Sequence, residues 1–314
     1  MKKVAFFGEC MIELNQAPTQ FDSKQKILLS FAGDVYNSAT YLKRCFNNIG
    51  AYLVTALGKD QYSSSMREQL KSENINCEFV FSSDTKIPGL YSIHTDEDGE
   101  RTFHYWRNDS AARYIMDFLN TDIIEQLKKF DMFVFSGISL AIIPPAKLND
   151  FWEMLNELKK AEVKIVFDSN YRSKLWKSKK EAISQYELAF QTTDMLLPSI
   201  EDFELLFEID KPEQIIQHLK NYNIEEIVIK NGSGDINIFS NKTRLDVPIS
   251  QVEYIVDTTS AGDSFNGSYI GSRLSELSTD ESAKFASQIA GFVIQHPGAI
   301  VDSNKLYTFL ESLN

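Results

Sequence analysis

The stretch Asp257–Thr258–Thr259–Ser260–Ala261–Gly262–Asp263 sets one carboxylate behind a run of small residues. Apolar residues then follow at helical spacing through Phe265, Tyr269, Ile270 and Leu274, while Val252 to Val256 suit a strand leading in. With so little side chain between Thr259 and Gly262, a ligand can come close to the main chain. A helix start offers N–H groups without intrahelical partners and a partial positive charge, which together suit a phosphate. A carboxylate beside that anion is placed to take a proton from an attacking hydroxyl. Taken alone, the string fits equally well an aspartate N-cap behind a glycine turn.

Other polar residues stand where apolar runs end. Ile27 to Phe31 runs into Ala32–Gly33–Asp34–Val35–Tyr36–Asn37, and from Asn37 a helix is expected, with Ala39, Leu42 and Phe46 on one face. Lys164 to Phe167 ends at Asp168–Ser169–Asn170–Tyr171–Arg172, and Ile227 to Ile229 ends at Lys230–Asn231–Gly232–Ser233–Gly234. In open α/β sheets, ligands occupy the crevice beyond the carboxyl ends of the strands, so Asn37, Asn170, Arg172, Lys230 and Asp263 form one candidate set. Each also has a plain structural reading: Asp34 as a helix start, Asp168 as a turn cap, 231–234 as a hairpin turn.

The elements that must carry these residues are short buried strands separated by helices of ten or more residues. Val4 to Phe7, Tyr52 to Leu57, Met132 to Phe135 and Met195 to Leu197 belong to that series. The alternation predicts an α/β fold with a mostly parallel sheet covered on both faces. Leu90 to His94 and Arg101 to Arg107 flank the turn-rich Asp96–Glu97–Asp98–Gly99–Glu100 and predict a hairpin in a second, small sheet, with Gln16 to Gln25 as polar loop. In that hairpin Tyr105 and Arg107 share a face, which suits a carboxylate; the plain alternative pairs Arg107 with Asp109. Ser278 and Glu281 are spaced as a capping box.

Bulk composition narrows the function. The chain has 314 residues, is 43% hydrophobic and carries a formal charge of −12, which argues against nucleic acid or an anionic membrane as partner. The three cysteines form no C-x-x-C pair and the four histidines no zinc spacing, so reduced thiols and a cytoplasmic location are expected. No apolar run is long enough for a membrane span, and no G-x-x-x-x-G-K-[ST] sequence marks a P-loop.

The string Asp257 to Asp263 resembles the D-T-x-x-A-G-D signature of the ribokinase-like (PfkB) sugar kinases, and the resemblance runs from Gly8 to Gly298. Gly33–Asp34–x–x–Asn37 resembles that family's N-terminal sugar-binding element in the form associated with 2-keto-3-deoxygluconate kinases. Asp168–Ser169–Asn170–Tyr171–Arg172 with Leu175–Trp176 resembles the D-x-N-x-R…L-W stretch of the acid-sugar and fructose kinases. Gly58–Lys59–Asp60 and Lys230–Asn231–Gly232 are similar to two further family elements. The family's N-x-x-E motif is altered here to Ser199–Ile200–Glu201–Asp202.

The resemblance implies a ribokinase-like domain over 1–314, with a lid from segments of about 10–32 and 86–110. It implies ATP-dependent phosphorylation, with Mg²⁺, of the primary hydroxyl of 2-keto-3-deoxygluconate. Fructokinase or ribokinase activity on a neutral sugar is the alternative, and a non-catalytic sugar sensor a more distant one. Asp263 is implied as base, with Ala261 and Gly262 N–H groups at the phosphoryl group. Gly33, Asp34, Asn37, Tyr91, Tyr105, Arg107 and Arg172 are implied for the sugar, and Asn170, Lys230, Gly232, Gly234, Ser260 and Gly262 for the nucleotide. Asp202 is implied for the metal through water, and a homo-oligomer through the lid sheet is an open option.

Overall fold

Val4, Ala5, Phe6 and Phe7 are all shielded from solvent, and their alternation divides them between two cores. Ala5 and Phe7 join Phe133, Phe135, Ile165 and Phe167 on one face, while Val4 and Phe6 join Val134 and Val166 on the other. A strand apolar on both sides needs helices on both sides, and that requirement sets the architecture. The computed structural model describes residues 1–21, 24–95, 101–240, 243–249 and 251–313. The strands in chain order are β1 (Lys3–Phe7), β2 (Met11–Phe21), β3 (Lys24–Ala32), β4 (Gly50–Leu57), β5 (Val80–Ser82), β6 (Leu90–Thr95) and β7 (Arg101–Trp106). They continue as β8 (Met132–Ser136), β9 (Lys164–Asp168), β10 (Met195–Leu197), β11 (Glu226–Ile229), β12 (Ile236–Ser240) and β13 (Thr243–Val247).

Nine strands form the large sheet in the order β13-β12-β11-β10-β9-β8-β1-β4-β5. Every pairing from β5 to β11 is parallel; β12 and β13 add an antiparallel edge. The small sheet has the order β3-β2-β6-β7, with β2 and β6 parallel and the outer pairs antiparallel. It packs on the body through Met11, Ala32, Tyr91 and Ile93, against Ala299.

Two helices matter most for the site. Asp34–Cys45 and Ala261–Leu274 lie against each other on the Val4/Phe6 side of the sheet. They cross closely because Gly267 has no side chain: a Cβ there would meet the Ser38 carbonyl oxygen at 2.1 Å and the Leu42 nitrogen at 2.9 Å. The crossing brings the starts of both helices together.

Three expectations need correction. Residues 16–21 and 24–25 are not loop: β2 and β3 pair as far as Phe21↔Lys24, with a register irregularity between Gln16 and Gln20, because backbone pairing does not depend on apolar side chains. Residues 252–256 are not a strand: the Val256 and Asp257 N–H groups both donate to the Ile294 carbonyl at 2.8 and 3.0 Å, tying the segment to a helix end and leaving Tyr254, Ile255 and Val256 exposed. The helix expected from Asn37 begins at Asp34. The Ser278/Glu281 capping box is present, and the turn 96–100 lies outside the described residues.

Candidate active site

Asp263 is the third residue of its helix. Ser260 precedes it in the left-handed conformation (φ 65°) and turns the chain inward. The Ala261 N–H donates to the Thr258 carbonyl at 3.2 Å, which leaves Gly262 and Asp263 as the first-turn N–H groups best placed for an anion. A Cβ on Gly262 would have only the Lys230 Nζ near it, at 3.7 Å, so the main chain is open to a ligand there. Asp263 is half-buried and accepts a hydrogen bond on Oδ2 from Asn37 Nδ2 at 2.8 Å. Burial, reinforced by the Asp34 and Asp168 carboxylates, raises its pKa to about 7 against the pull of Asn37 and Lys230. A carboxylate poised at that value is suited to general base catalysis near neutral pH.

Asp34 stands beside it. Its Oδ2 accepts from the Ser136 hydroxyl and from Asn170 Nδ2, the latter at 3.1 Å. Asn170 holds a left-handed backbone (φ 28°), a strained state for a residue with a side chain. The flanking loop is braced by Asp202, which accepts from the Ser169 hydroxyl (2.6 Å) and the Tyr171 N–H (2.9 Å). Both oxygens of Asp202 are therefore engaged within the protein. Ser199 caps the helix Ile200–Phe207 by accepting from the Asp202 N–H at 3.1 Å. Arg172 is exposed and lies 3.8 Å from Asp202.

Lys230 follows β11 and turns back toward the sheet. Its ammonium donates to Asp168 Oδ1 at 2.9 Å and Asn266 Oδ1 at 3.0 Å. Gly232 and Gly234 stand in the hairpin turn joining β11 to β12; Gly232 has φ 52° with open space around it.

The small sheet faces this cluster. The Tyr91 hydroxyl donates to Glu13, which also accepts from the Ser30 hydroxyl at 2.8 Å. Burial first, then Glu13, holds Tyr91 protonated. The Tyr105 ring lies 5.6 Å from that of Tyr91, and burial raises the pKa of its hydroxyl against the opposing fields of Arg107 and Arg172. Arg107 is not a surface cation paired with Asp109. It is buried and paired with Glu9, itself buried, at 2.5 Å, while Asp109 pairs with Lys86 and Tyr114. Nη2 faces Glu9, while Arg107 Nε has no hydrogen-bond partner among the described residues, so a donor remains beside the pair.

Glu9, Glu13, Ser136 and Asn266 were not singled out in the sequence. For Glu9 and Ser136 the available signal was position alone, since each closes or follows an apolar strand at its carboxyl end. Among the described residues no group of three or more His, Cys, Asp or Glu side chains could hold a metal ion, and no helix is long and apolar enough to cross a membrane.

The pfkB family carbohydrate kinase profile matches residues 1–306. The chain is 39% identical over 310 residues to a 2-dehydro-3-deoxygluconokinase of Haemophilus influenzae, covering 96% of both chains. It is 36% identical to one of Escherichia coli K12, covering 96% and 97%. Fructokinase-1 of Zea mays stands at 27% identity, with 95% and 93% covered. Among solved structures, a 2-dehydro-3-deoxygluconokinase from Thermotoga maritima matches with a TM-score of 0.80 at 22% identity, covering 99% of this chain and 100% of that one; it speaks for the fold.

Proposed function

The chain belongs to the pfkB family of carbohydrate kinases, and from that premise we propose that it transfers the γ-phosphoryl group of ATP to the primary hydroxyl of 2-keto-3-deoxygluconate. The carrying observation is Asp263: a carboxylate with its pKa pushed up to about 7, at the first turn of a helix, bonded to Asn37 of the sugar element. The sugar oxygen attacks the γ-phosphorus and its proton passes to Asp263. The new O–P bond forms as the bond to the β-phosphate oxygen breaks, and ADP leaves with that electron pair. Such transfer needs position and charge neutralisation more than covalent chemistry from the protein.

The residues present fit a nucleotide. The Gly262 and Asp263 N–H groups and Lys230 suit its phosphates, and the buried Ser260 hydroxyl, which has no hydrogen-bond partner among the described residues, could bond it. Asn170, Gly232 and Gly234 complete that side in the reading proposed here. Among the described residues no group of carboxylates could cage Mg²⁺; an ion bound with the phosphates would supply charge neutralisation there, and Asp202, with both oxygens engaged within the protein, would reach it only through water. Gly33, Asp34 and Asn37 would hold the sugar hydroxyls. Tyr91, Tyr105, Arg107 and Arg172 would hold the carboxylate end, with Glu9 on one side of the Arg107 guanidinium and other donors left over. The small sheet would act as lid, and a second copy would cover its outer strand.

A neutral sugar is the second reading, since Glu9 already matches the charge of Arg107 and a fructokinase stands among the relatives. ADP release against a panel of acidic and neutral sugars separates the two. Faster turnover of fructose or ribose than of 2-keto-3-deoxygluconate would overturn the acid-sugar assignment.

A further inference from the structure

A lysine ammonium has three N–H donors. In Lys230 two are committed, one to Asp168 at the end of β9 and one to Asn266, and its side chain is largely buried between them. Asn266 is 2% exposed and sits one turn beyond Asp263 on the same helix, so its amide oxygen joins Lys230 to the helix that carries the base. The Nζ lies 3.7 Å from the place a Cβ on Gly262 would occupy, against the first turn where the phosphoryl group would arrive. An ammonium held by Asp168 alone would be free to turn its remaining donors elsewhere. A second acceptor on the catalytic helix fixes two directions and thereby the third.

We propose that Asn266 is a positioning residue for phosphoryl transfer: it holds the Lys230 ammonium against the first turn of Ala261–Leu274 so that the remaining N–H serves the transferring phosphoryl group. The inference rests on the kinase reading of the site and goes beyond it, since it gives work to a buried amide that no motif marks. The cation neutralises charge that builds on the phosphoryl oxygens in flight, so the contact belongs to kcat rather than to sugar binding.

A double-mutant cycle tests it, with ATP and 2-keto-3-deoxygluconate as substrates and thermal unfolding followed for every variant. Asn266→Leu keeps the volume and removes the acceptor. Losing one hydrogen bond to a charged group should lower kcat by about ten- to hundredfold, with KM for the sugar unchanged. Lys230→Met should cost at least as much, and the double variant no more than Lys230→Met alone. Asn266→Ala replaces the leucine variant if that one does not fold. If the Asn266 change costs as much in the Lys230→Met background as in the native chain, Asn266 acts only as a structural tie and the proposal falls. If Lys230→Met keeps full kcat, the placing of Lys230 at the phosphate falls with it. Turnover of neutral sugars only, by the native chain, would instead move the sugar assignment, and the same cycle run on that sugar would still decide the role of Asn266.

Discussion

Asp263 carries a conflict between stability and activity. Its carboxyl is pushed up to about 7 by burial and by Asp34, so the folded protein prefers the protonated form. A raised carboxylate contributes stability that is fully present below the usual carboxylate range and is lost as pH rises through about 7. The base, by contrast, works only once deprotonated. Replacing it by Asn should therefore lower kcat by ~10²–10⁴-fold while raising the melting temperature relative to the native chain at pH 8, with the difference shrinking toward pH 5. A variant that keeps more than about a tenth of the native kcat would remove Asp263 from this role. In the native enzyme, kcat/KM should decline as pH falls below about 7, read as the acidic limb of a pH profile. At this scale the sequence was legible where chemistry falls on a marked string, as at Asn37, Lys230 and Asp263. It was silent on Ser136, whose meaning comes from Asp34, 102 residues away, and on Asn266, whose meaning comes from Lys230, 36 residues away.

Among the elements, the small sheet is where reading and structure differ most. Its hairpin was visible from the turn-rich Asp96–Glu100 between the two strand-like stretches, but the length of β2 and β3 was not, because polar residues can pair in a ladder as well as apolar ones. The Glu9–Arg107 pair joins the end of β1 to the end of β7 and so ties this sheet to the body. Arg107→Ala would leave Glu9 as a buried charge without its partner, at a cost of about 3–5 kcal/mol, and a fall in melting temperature should report it. Because that loss is common to all substrates, the acid-specific part is read as a ratio: kcat/KM should fall a further ten- to hundredfold or so for 2-keto-3-deoxygluconate relative to fructose. Equal losses on both would take Arg107 out of carboxylate recognition. If the sheet moves as a lid, hydrogen exchange across Leu90–Arg107 should slow when the sugar is added, since closure has to exclude water from the transfer. Unchanged exchange at saturating sugar would leave the sheet a fixed wall.

For the whole molecule, the parallel sheet with cover on both faces followed from runs such as Val4–Ala5–Phe6–Phe7, whose continuous burial leaves few other arrangements. Assembly is a different matter, because it depends on surface that becomes visible only once the strands are paired. β3 is an outer strand of the small sheet, and Ile27, Leu28 and Leu29 on it are all exposed. Since neighbours on a strand point to opposite faces, three consecutive exposed residues mean that neither face of β3 is covered along this segment. Trp106 on the opposite outer strand is 62% exposed as well. Long apolar outer strands invite pairing, and proteins that remain single usually blunt them with charge. This strand has no charged side chain from Ile27 to Ala32, although the chain as a whole carries −12. A second copy pairing along β3 would satisfy its outer backbone groups and bring apolar neighbours beside these side chains. Leu28→Glu should then convert a dimer to a monomer in sedimentation velocity, while a native chain that already sediments as a monomer at tens of micromolar would show that the exposed strand stays uncovered.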